Sequence, residues 1–170
     1  GLGVGGGGVA VVAGGLVLPT GVLLGLLVHG TLASDRVSGR SADASHLVAV
    51  TGRQWHWDFV YLGDDGRPLA ASTDLLAMPL GRMVEFRIES ADVIHSFWIP
   101  RLGGKIDAIP GRTNVLRLRA DQAGSIRGQC AEFCGLEHAF MGFEVQVLAP
   151  AEYEAWLRDN AVAQAGEGSP

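Results

Sequence analysis

The N-terminal fifth of the sequence lacks charge. Residues 1–34 contain no Asp, Glu, Lys or Arg, so all 13 basic and 18 acidic residues lie from Asp35 onward. Residues 9–28 form an uncharged run of 20, and about 20 apolar residues suffice to cross a bilayer as a helix. We therefore predict a transmembrane helix within residues 1–33, surrounded by a lipid bilayer. A secretory signal peptide is the alternative, but its apolar region is usually shorter and follows a charged segment.

Cysteine and lysine are also scarce. The chain has two cysteines, Cys130 and Cys134, and no C-x-x-C-H motif, so we expect no attached c-type haem within these 170 residues. Lys105 is the only lysine, and the net charge is −5. Domains that bind nucleic acid carry a basic patch or stripe. We therefore expect no nucleic-acid partner.

A period of two dominates residues 47–149. Apolar residues alternate with polar ones at 84–88, 116–119 and 143–147, the pattern of half-buried strands. Turns rich in Gly, Pro and Asp separate these segments. Many short strands over about 100 residues predict an all-β fold, specifically a Greek-key β-sandwich.

The segments that flank the sandwich differ from it in composition. A polar segment rich in Ser, Arg and Asp precedes it and predicts a linker. Residues 150–158 predict a short helix with Pro150 in its first turn, and the remaining residues predict a flexible tail. The predicted organisation is a transmembrane segment at 1–33, a linker at 34–46, a sandwich at 47–149, and a helix with its tail at 150–170.

The stretch Cys130-Ala-Glu-Phe-Cys134-Gly-Leu-Glu-His138-Ala-Phe-Met141 concentrates soft metal ligands. It holds two thiols, an imidazole and a thioether, a set that selects copper over magnesium or calcium. A mononuclear blue-copper site uses one Cys, two His and a weak axial Met. Cys130 is one thiolate more than that site needs. Since two thiolates on one tight loop can bridge two metal ions, the surplus cysteine predicts a dinuclear copper centre.

The predicted centre needs a second imidazole from elsewhere in the chain. His95, in the segment from Asp92 to Pro100, is the best candidate. Of the other histidines, His29 ends an apolar segment, His46 lies in a polar linker and His56 lies among aromatic residues. A disulfide between Cys130 and Cys134 is the alternative to copper. Its small ring would contribute little chain entropy, and it would leave His138 and Met141 unexplained.

Four blocks of this sequence resemble the cytochrome c oxidase subunit II family and occur in that family's order, over roughly residues 9–158. The blocks are Gln54-Trp55-His56-Trp57, Val93 to Pro100, Gly103 to Arg112 and Gln129 to Met141. The resemblance implies a cupredoxin-like fold with a dinuclear CuA centre. It also implies the ligands, which are the side chains of His95, Cys130, Cys134, His138 and Met141 and the backbone carbonyl of Glu132. Most members have two transmembrane helices, and the apolar run here resembles the second; whether a first one precedes it stays open.

The resemblance assigns roles to two further residues. The carboxylate of Glu132 would reach a magnesium or manganese site shared with subunit I, unless it is an ordinary solvated loop residue. Trp55 would be the entry point for electrons from cytochrome c, while Trp57 is expected in the core. His56 stands where the family often has Tyr. Nearby acids could steer a basic cytochrome c or could be ordinary turn residues, and both readings stay open for Asp58, Asp64 and Asp65.

The function that the resemblance implies is electron transfer within a respiratory haem-copper oxidase. The chain would take electrons from cytochrome c and pass them to haem in subunit I, beside the loop Gly103 to Arg112. The expected location is the bacterial inner membrane, with the copper domain in the periplasm. Three alternatives fit less well. A copper-delivery protein would not need Trp55, a quinol-oxidase subunit would lack the ligands, and nitrous oxide reductase is soluble and larger.

Overall fold

The computed structural model describes residues 6–38 and 46–162, and the chain divides into two units at residues 41 and 42. The first unit is helical, with α1 at Gly6–Val12, a π-helical turn at Ala13–Val17 and α2 at Leu18–Ser38. The π-helical turn ends two residues before Pro19, which cannot donate the backbone hydrogen bond that a regular helix requires there. The part from Gly6 to Ser34 has the length and apolar composition needed to cross a membrane, and its apolar window contains no buried residue.

The helix extends further than the sequence indicates. The linker was expected to start at residue 34, but α2 continues to Ser38. The physical reason is that no Gly or Pro occurs between Gly30 and Gly39, and isolated polar residues do not stop a helix. Residues 39–45 of the predicted linker lie outside the described residues, and its last residue, His46, already belongs to the first strand. Most of the predicted tail, residues 163–170, also lies outside them.

The second unit consists of two five-stranded sheets. The first has the order β3-β2-β1-β5-β8, and the second has the order β4-β10-β9-β6-β7. Neighbouring strands are antiparallel except for the parallel pairs β1–β5 and β4–β10. The strands are β1 (His46–Arg53), β2 (His56–Leu62), β3 (Pro68–Thr73), β4 (Leu75–Pro79), β5 (Met83–Ser90), β6 (His95–Trp98), β7 (Ile106–Ala108), β8 (Asn114–Arg119), β9 (Gly124–Cys130) and β10 (Gly142–Leu148). The predicted all-β sandwich, preceded by an apolar helix, is confirmed.

Aromatic rings fill the core between the sheets. Phe97 and Phe143 stack with ring centroids 5.1 Å apart, and Phe59 and Phe86 pack against Phe97. Gly128, which pairs with Phe143 across β9 and β10, leaves room for its ring, because a Cβ there would lie 2.0 Å from it. This packing fixes β9 and β10 against each other next to the loop that joins them.

A short helix closes the sandwich at its C-terminal side. α3 (Pro150–Asp159) buries Tyr153 and places Trp156 against Tyr61, with ring centroids 4.9 Å apart. The Glu152 carboxylate accepts the backbone N–H of Ala149 and caps the first turn. This helix follows β10 directly and completes the core of the sandwich.

The strand pairing brings four chain segments together at one end of the sandwich. Phe97 of β6 pairs with Cys130 at the end of β9, so the start of β6 lies beside the ligand loop. β10 begins at Gly142, opposite Gln129, and returns the chain to the same end. The end of β1 reaches this place too, since Gly52 lies against the His95 ring.

Candidate metal centre

The side chains predicted as metal ligands form one continuous cluster. Cys130 Sγ lies 3.9 Å from His95 Nδ1, 3.9 Å from Cys134 Sγ and 3.2 Å from the carbonyl oxygen of Glu132. Three of these groups, on His95, Cys130 and Cys134, lie within 4.8 Å of one another and are buried. One cysteine thus sits among an imidazole, a second thiol and a carbonyl oxygen.

Cys134 contacts the remaining two donors. Its Sγ lies 3.6 Å from His138 Nδ1 and 3.7 Å from Met141 Sδ. Met141 is 1% exposed, whereas His138 is half-buried. The two sulfurs of Cys130 and Cys134 therefore stand at the centre of the cluster, with one imidazole on each side.

Backbone hydrogen bonds hold the loop in this shape. The N–H of Cys130 donates to the carbonyl of Met141 at 2.9 Å and closes the loop at its base. The N–H of Ala131 donates to the carbonyl of Ser96 at 2.9 Å and ties the loop to β6. Gly135 has φ +122°, a conformation that favours glycine, and a Cβ there would meet the Trp55 ring at 3.2 Å. The loop can therefore turn directly beneath the indole.

His95 is oriented by a carboxylate that the sequence analysis did not single out. Its Nε2 lies 2.8 Å from Asp92 Oδ1, and since a carboxylate only accepts, Nε2 donates and Nδ1 is left facing Cys130. Burial opposes ionisation of Asp92, but hydrogen bonds from His95 and from the backbone N–H groups of Gln54 and Val93 outweigh it and lower the pKa of Asp92. Such a carboxylate fixes the ring of a ligating histidine. Its position three residues before His95 is the signal that could have identified it.

Both thiols are free, and their sulfurs are not bonded to each other. Burial and the neighbouring Cys130 raise the pKa of Cys134 to about 12. Without a metal, the Cys134 thiol therefore keeps its proton at neutral pH. Because metals bind the thiolate, metal binding here must release this proton.

The donor set fits copper. It consists of two sulfurs from thiols, one from a thioether, two imidazole nitrogens and one carbonyl oxygen, and all but the carbonyl are soft or borderline donors. His95 is fully buried, and Cys130 and Cys134 are nearly so. Glu132, by contrast, is exposed, and its carboxylate does not belong to the group of His95, Cys130 and Cys134 that could hold a metal ion.

Trp55 lies directly against the ligand loop. Its indole Nε1 donates to the carbonyl oxygen of Cys134 at 3.3 Å, and the residue is half-buried. Trp57 is fully buried, with its ring edge-on to His95 and centroids 5.9 Å apart. The two tryptophans thus differ, since Trp57 belongs to the core and Trp55 lies half-buried against the loop.

The three acids that were expected near Trp55 do not form one patch. Asp58 is paired, because its carboxylate accepts Arg53 Nε at 3.0 Å and the Thr73 hydroxyl at 2.9 Å. Asp64 and Asp65 follow the far end of β2, whose seven residues span about 23 Å at roughly 3.3 Å per residue. The idea that all three acids flank Trp55 is therefore wrong for Asp64 and Asp65.

Three apolar side chains of the loop itself are exposed. Phe133, Leu136 and Phe140 are 75%, 94% and 85% exposed. The Phe133 ring packs edge-on against the His138 imidazole, with centroids 5.7 Å apart. Exposed apolar groups that lie this close together in one loop are typical of contact surfaces for other proteins.

The sequence and the fold are both similar to known proteins. The family model for the periplasmic domain of cytochrome c oxidase subunit II matches residues 64–148. Cytochrome c oxidase subunit 2 of Alkalihalophilus pseudofirmus is 44% identical over 115 residues, which cover 68% of this chain and 32% of that protein. This chain therefore spans about a third of that relative's length.

Two solved structures resemble the sandwich. The periplasmic domain of cytochrome oxidase subunit II from Bradyrhizobium japonicum is 32% identical, with a TM-score of 0.63 over 69% of this chain and 94% of that domain. A mixed disulfide intermediate between a thioredoxin-like protein and subunit II of cytochrome c oxidase is 34% identical, with a TM-score of 0.60 over 69% of this chain and 92% of that one. These likenesses confirm the expected cupredoxin-like sandwich.

Proposed function

Since the chain belongs to the cytochrome c oxidase subunit II family, we propose that it is the electron-transfer subunit of a respiratory haem-copper oxidase. In this role it accepts electrons from cytochrome c at a dinuclear copper centre and passes them to haem in subunit I, where oxygen is reduced. The single observation that carries the proposal is the continuous cluster of six soft and carbonyl donors around Cys130 and Cys134.

The contacts within the cluster support a ligand set for the proposed centre. The copper ions would be held by the side chains of His95, Cys130, Cys134, His138 and Met141 and by the carbonyl of Glu132. Two copper ions that share thiolates supply a one-electron couple in which the added electron is spread over both metals.

The protein supplies a fixed frame for this couple. His95 cannot rotate freely, because Asp92 holds one ring nitrogen and the edge of Trp57 packs against the ring. The loop is closed at its base by the bond between Cys130 and Met141. Ligands that cannot move keep the reorganisation between redox states small, which favours rapid electron transfer.

Trp55 is the proposed entry residue. The indole contacts the Cys134 carbonyl, and from there the covalent path to Sγ runs only through Cα and Cβ of the same residue. The neighbouring apolar side chains Phe133 and Leu136 support a protein partner at this surface. A reduced cytochrome c would give up one electron here and be oxidised.

The thiols must be reduced before copper can bind. Their sulfurs are close enough that a modest movement would allow a disulfide, which cannot ligate as two thiolates. The similar subunit II structure in a mixed disulfide with a thioredoxin-like protein supports a reductant of that class for this chain. Such a reductant would act by thiol–disulfide exchange, in which its two thiols become oxidised as Cys130 and Cys134 are released in reduced form.

The proposed location is the bacterial inner membrane, with the sandwich in the periplasm. The apolar helix from Gly6 to Ser34 supports an anchor in the lipid bilayer. Subunit I and other oxidase subunits are the proposed membrane partners, and they would contact the exposed charges of Lys105, Asp107 and Arg112. The exposed Glu132 carboxylate would there meet a magnesium or manganese ion shared with subunit I, for which carboxylate oxygen is a suitable ligand.

Copper reconstitution of the full chain in detergent tests the proposal. We expect two copper ions per chain, a purple oxidised form and an electron paramagnetic resonance spectrum of one unpaired electron shared by both ions. One copper per chain with a blue spectrum would reject the dinuclear centre. Free thiols in the anaerobically purified, metal-free chain should accompany this result, as determined by mass spectrometry after alkylation.

A further inference from the structure

The turn between β1 and β2 contacts both parts of the candidate metal centre, namely the start of β6 with His95 and the loop from residue 130 to residue 141. Gln54 and Trp55 form this turn, between Arg53 at the end of β1 and His56 at the start of β2. The backbone N–H of Gln54 donates to Asp92 Oδ2 at 2.7 Å, and Asp92 in turn holds His95. The start of β6, which carries His95, is therefore connected to this turn by hydrogen bonds through Asp92.

The side chain of Gln54 reaches the other half of the site. Its Nε2 donates to the carbonyl oxygen of Cys134 at 2.8 Å, across 80 positions of sequence. The orientation of the amide follows from chemistry, because only its NH₂ group can donate to a carbonyl oxygen. A single residue thus contacts the carboxylate behind His95 and the backbone of Cys134.

Gln54 and Trp55 share one acceptor. The indole bond to the Cys134 oxygen is 3.3 Å long, whereas the Gln54 bond to the same oxygen is 2.8 Å. A carbonyl oxygen has two lone pairs and can accept both donors. Since a hydrogen bond weakens as it lengthens, the Gln54 bond restrains the oxygen more strongly than the indole bond does.

We propose that Gln54 is a positioning residue that holds the Cys134 carbonyl in place for the Trp55 indole. The indole then keeps its contact with the ligand loop while its outer edge meets a partner. The importance of this contact for electron transfer rests on the proposed function, but its existence as a mechanical restraint does not.

Gln54→Met in the full chain, purified in detergent without metal, tests this role. Met has a similar length and volume but cannot donate a hydrogen bond, and the backbone bond to Asp92 is untouched. The measurement is hydrogen exchange at the tryptophan indole N–H groups by ¹⁵N NMR. We expect exchange at Trp55 to accelerate about two- to tenfold, as for the loss of one hydrogen bond. Trp98, whose indole donates to the Gly103 carbonyl at 3.1 Å, should be unchanged.

Two further variants make the test specific. Gln122→Met is the matched control, because Gln122 is exposed and its side chain bonds to Arg101 instead. It should leave the Trp55 rate unchanged. Gln54→Glu keeps the shape of the side chain but cannot donate when ionised, so it should accelerate Trp55 exchange as Gln54→Met does. An unchanged or slower Trp55 rate in both Gln54 variants would overturn the proposal, as would an equal acceleration at Trp98, which would mean general loosening of the fold.

Copper loading separates this inference from the proposed function. If the unmutated chain does not take up two copper ions, the function fails, yet indole exchange in the metal-free chain still decides the role of Gln54. If it does take them up, Gln54→Met should retain both ions and their spectrum, while electron uptake from reduced cytochrome c falls about two- to tenfold by the same hydrogen-bond loss. Equal uptake rates in Gln54→Met and Gln122→Met would overturn the positioning role.

Discussion

The loop from residue 130 to residue 141 and the start of β6 contribute to the same site in different ways. The loop carries every candidate donor except that of His95 within twelve consecutive positions. A backbone hydrogen bond from Cys130 to Met141 closes the loop at its base. His95 stands alone on its strand and depends on Asp92, which directly precedes that strand, and on Gly52 and Trp57, which come from β1 and β2. The loop provides most of the candidate donors, and the framework of the sandwich provides the geometry.

Cys130→Ser should have the largest effect, because it removes one of the two candidate thiolate ligands from the loop. The remaining donors are one Cys, two His and one Met, the ligand set of a mononuclear blue-copper site. We expect the two-copper signal to disappear, with one copper retained and an ordinary single-ion spectrum. Copper content and electron paramagnetic resonance measure this outcome. If Cys130 and Cys134 served only as a disulfide, Cys130→Ser and Cys134→Ser would act alike through stability, with no metal signal to lose.

Gly52→Ala should disturb the packing around His95 while leaving every candidate donor in place. An added Cβ would lie 2.9 Å from Cδ2 of the His95 ring and 3.2 Å from Trp57, so the imidazole must shift. We expect copper affinity to fall by about 10- to 100-fold, as for the loss of an outer-shell partner. Competition with a copper chelator measures it. Gly104→Ala is the control, since a Cβ there meets nothing within 4 Å; equal affinities in the two variants would show that the close approach of Gly52 is unimportant.

Trp55→Ala should separate electron entry from metal binding. The indole donates a hydrogen bond to the Cys134 carbonyl and is not itself a candidate ligand. We expect the copper spectrum to be unchanged and electron uptake from reduced cytochrome c to slow about tenfold, equivalent to roughly 1.4 kcal/mol in the barrier. Stopped-flow kinetics at low salt measure the rate. Uptake as fast as in the unmutated chain would remove Trp55 from the path.

Glu85→Gln tests the sandwich away from both halves of the site. A hydrogen bond from Arg117 lowers the pKa of Glu85, so its stabilising contribution is present above the ordinary pKa of about 4.3 and is lost as the pH falls through the lower folded-state value. We expect the variant to be about 1 kcal/mol less stable at pH 7, with the difference closing in acid. Denaturant unfolding at several pH values measures this. Glu89→Gln, at an exposed position of the same strand, is the control and should show a smaller difference at pH 7.

Ionic strength should have the smallest effect. Asp58 is paired with Arg53, and Asp64 and Asp65 lie beyond the far end of β2. Electron uptake should therefore change less than about twofold between 0.1 and 1 M salt, although the screening length shortens from about 10 to about 3 Å. A steep fall in rate with salt would contradict this and would favour steering by acidic groups.

The ligand loop and the β-sandwich could be predicted because their signals are local in sequence. Cys130, Cys134, His138 and Met141 reveal their chemistry through residue type and spacing. The alternation of apolar and polar residues at 84–88 and 143–147 marks strands, because successive side chains point to opposite faces. These properties follow from the covalent chain itself and need no knowledge of distant contacts.

Only the tertiary structure decided which distant residues support the site. The bond of Gln54 to Cys134, the approach of Gly52 to His95 and the separation of Asp64 from Trp55 depend on how β1, β2 and β6 are placed relative to the loop. Each of these residue types is common in turns and at strand ends, and its sequence neighbours carry no sign of its partner. The sequence by itself determined the donors and the sheet-forming pattern, whereas the packing of segments far apart in the chain determined the distances and orientations, because those are properties of the folded core.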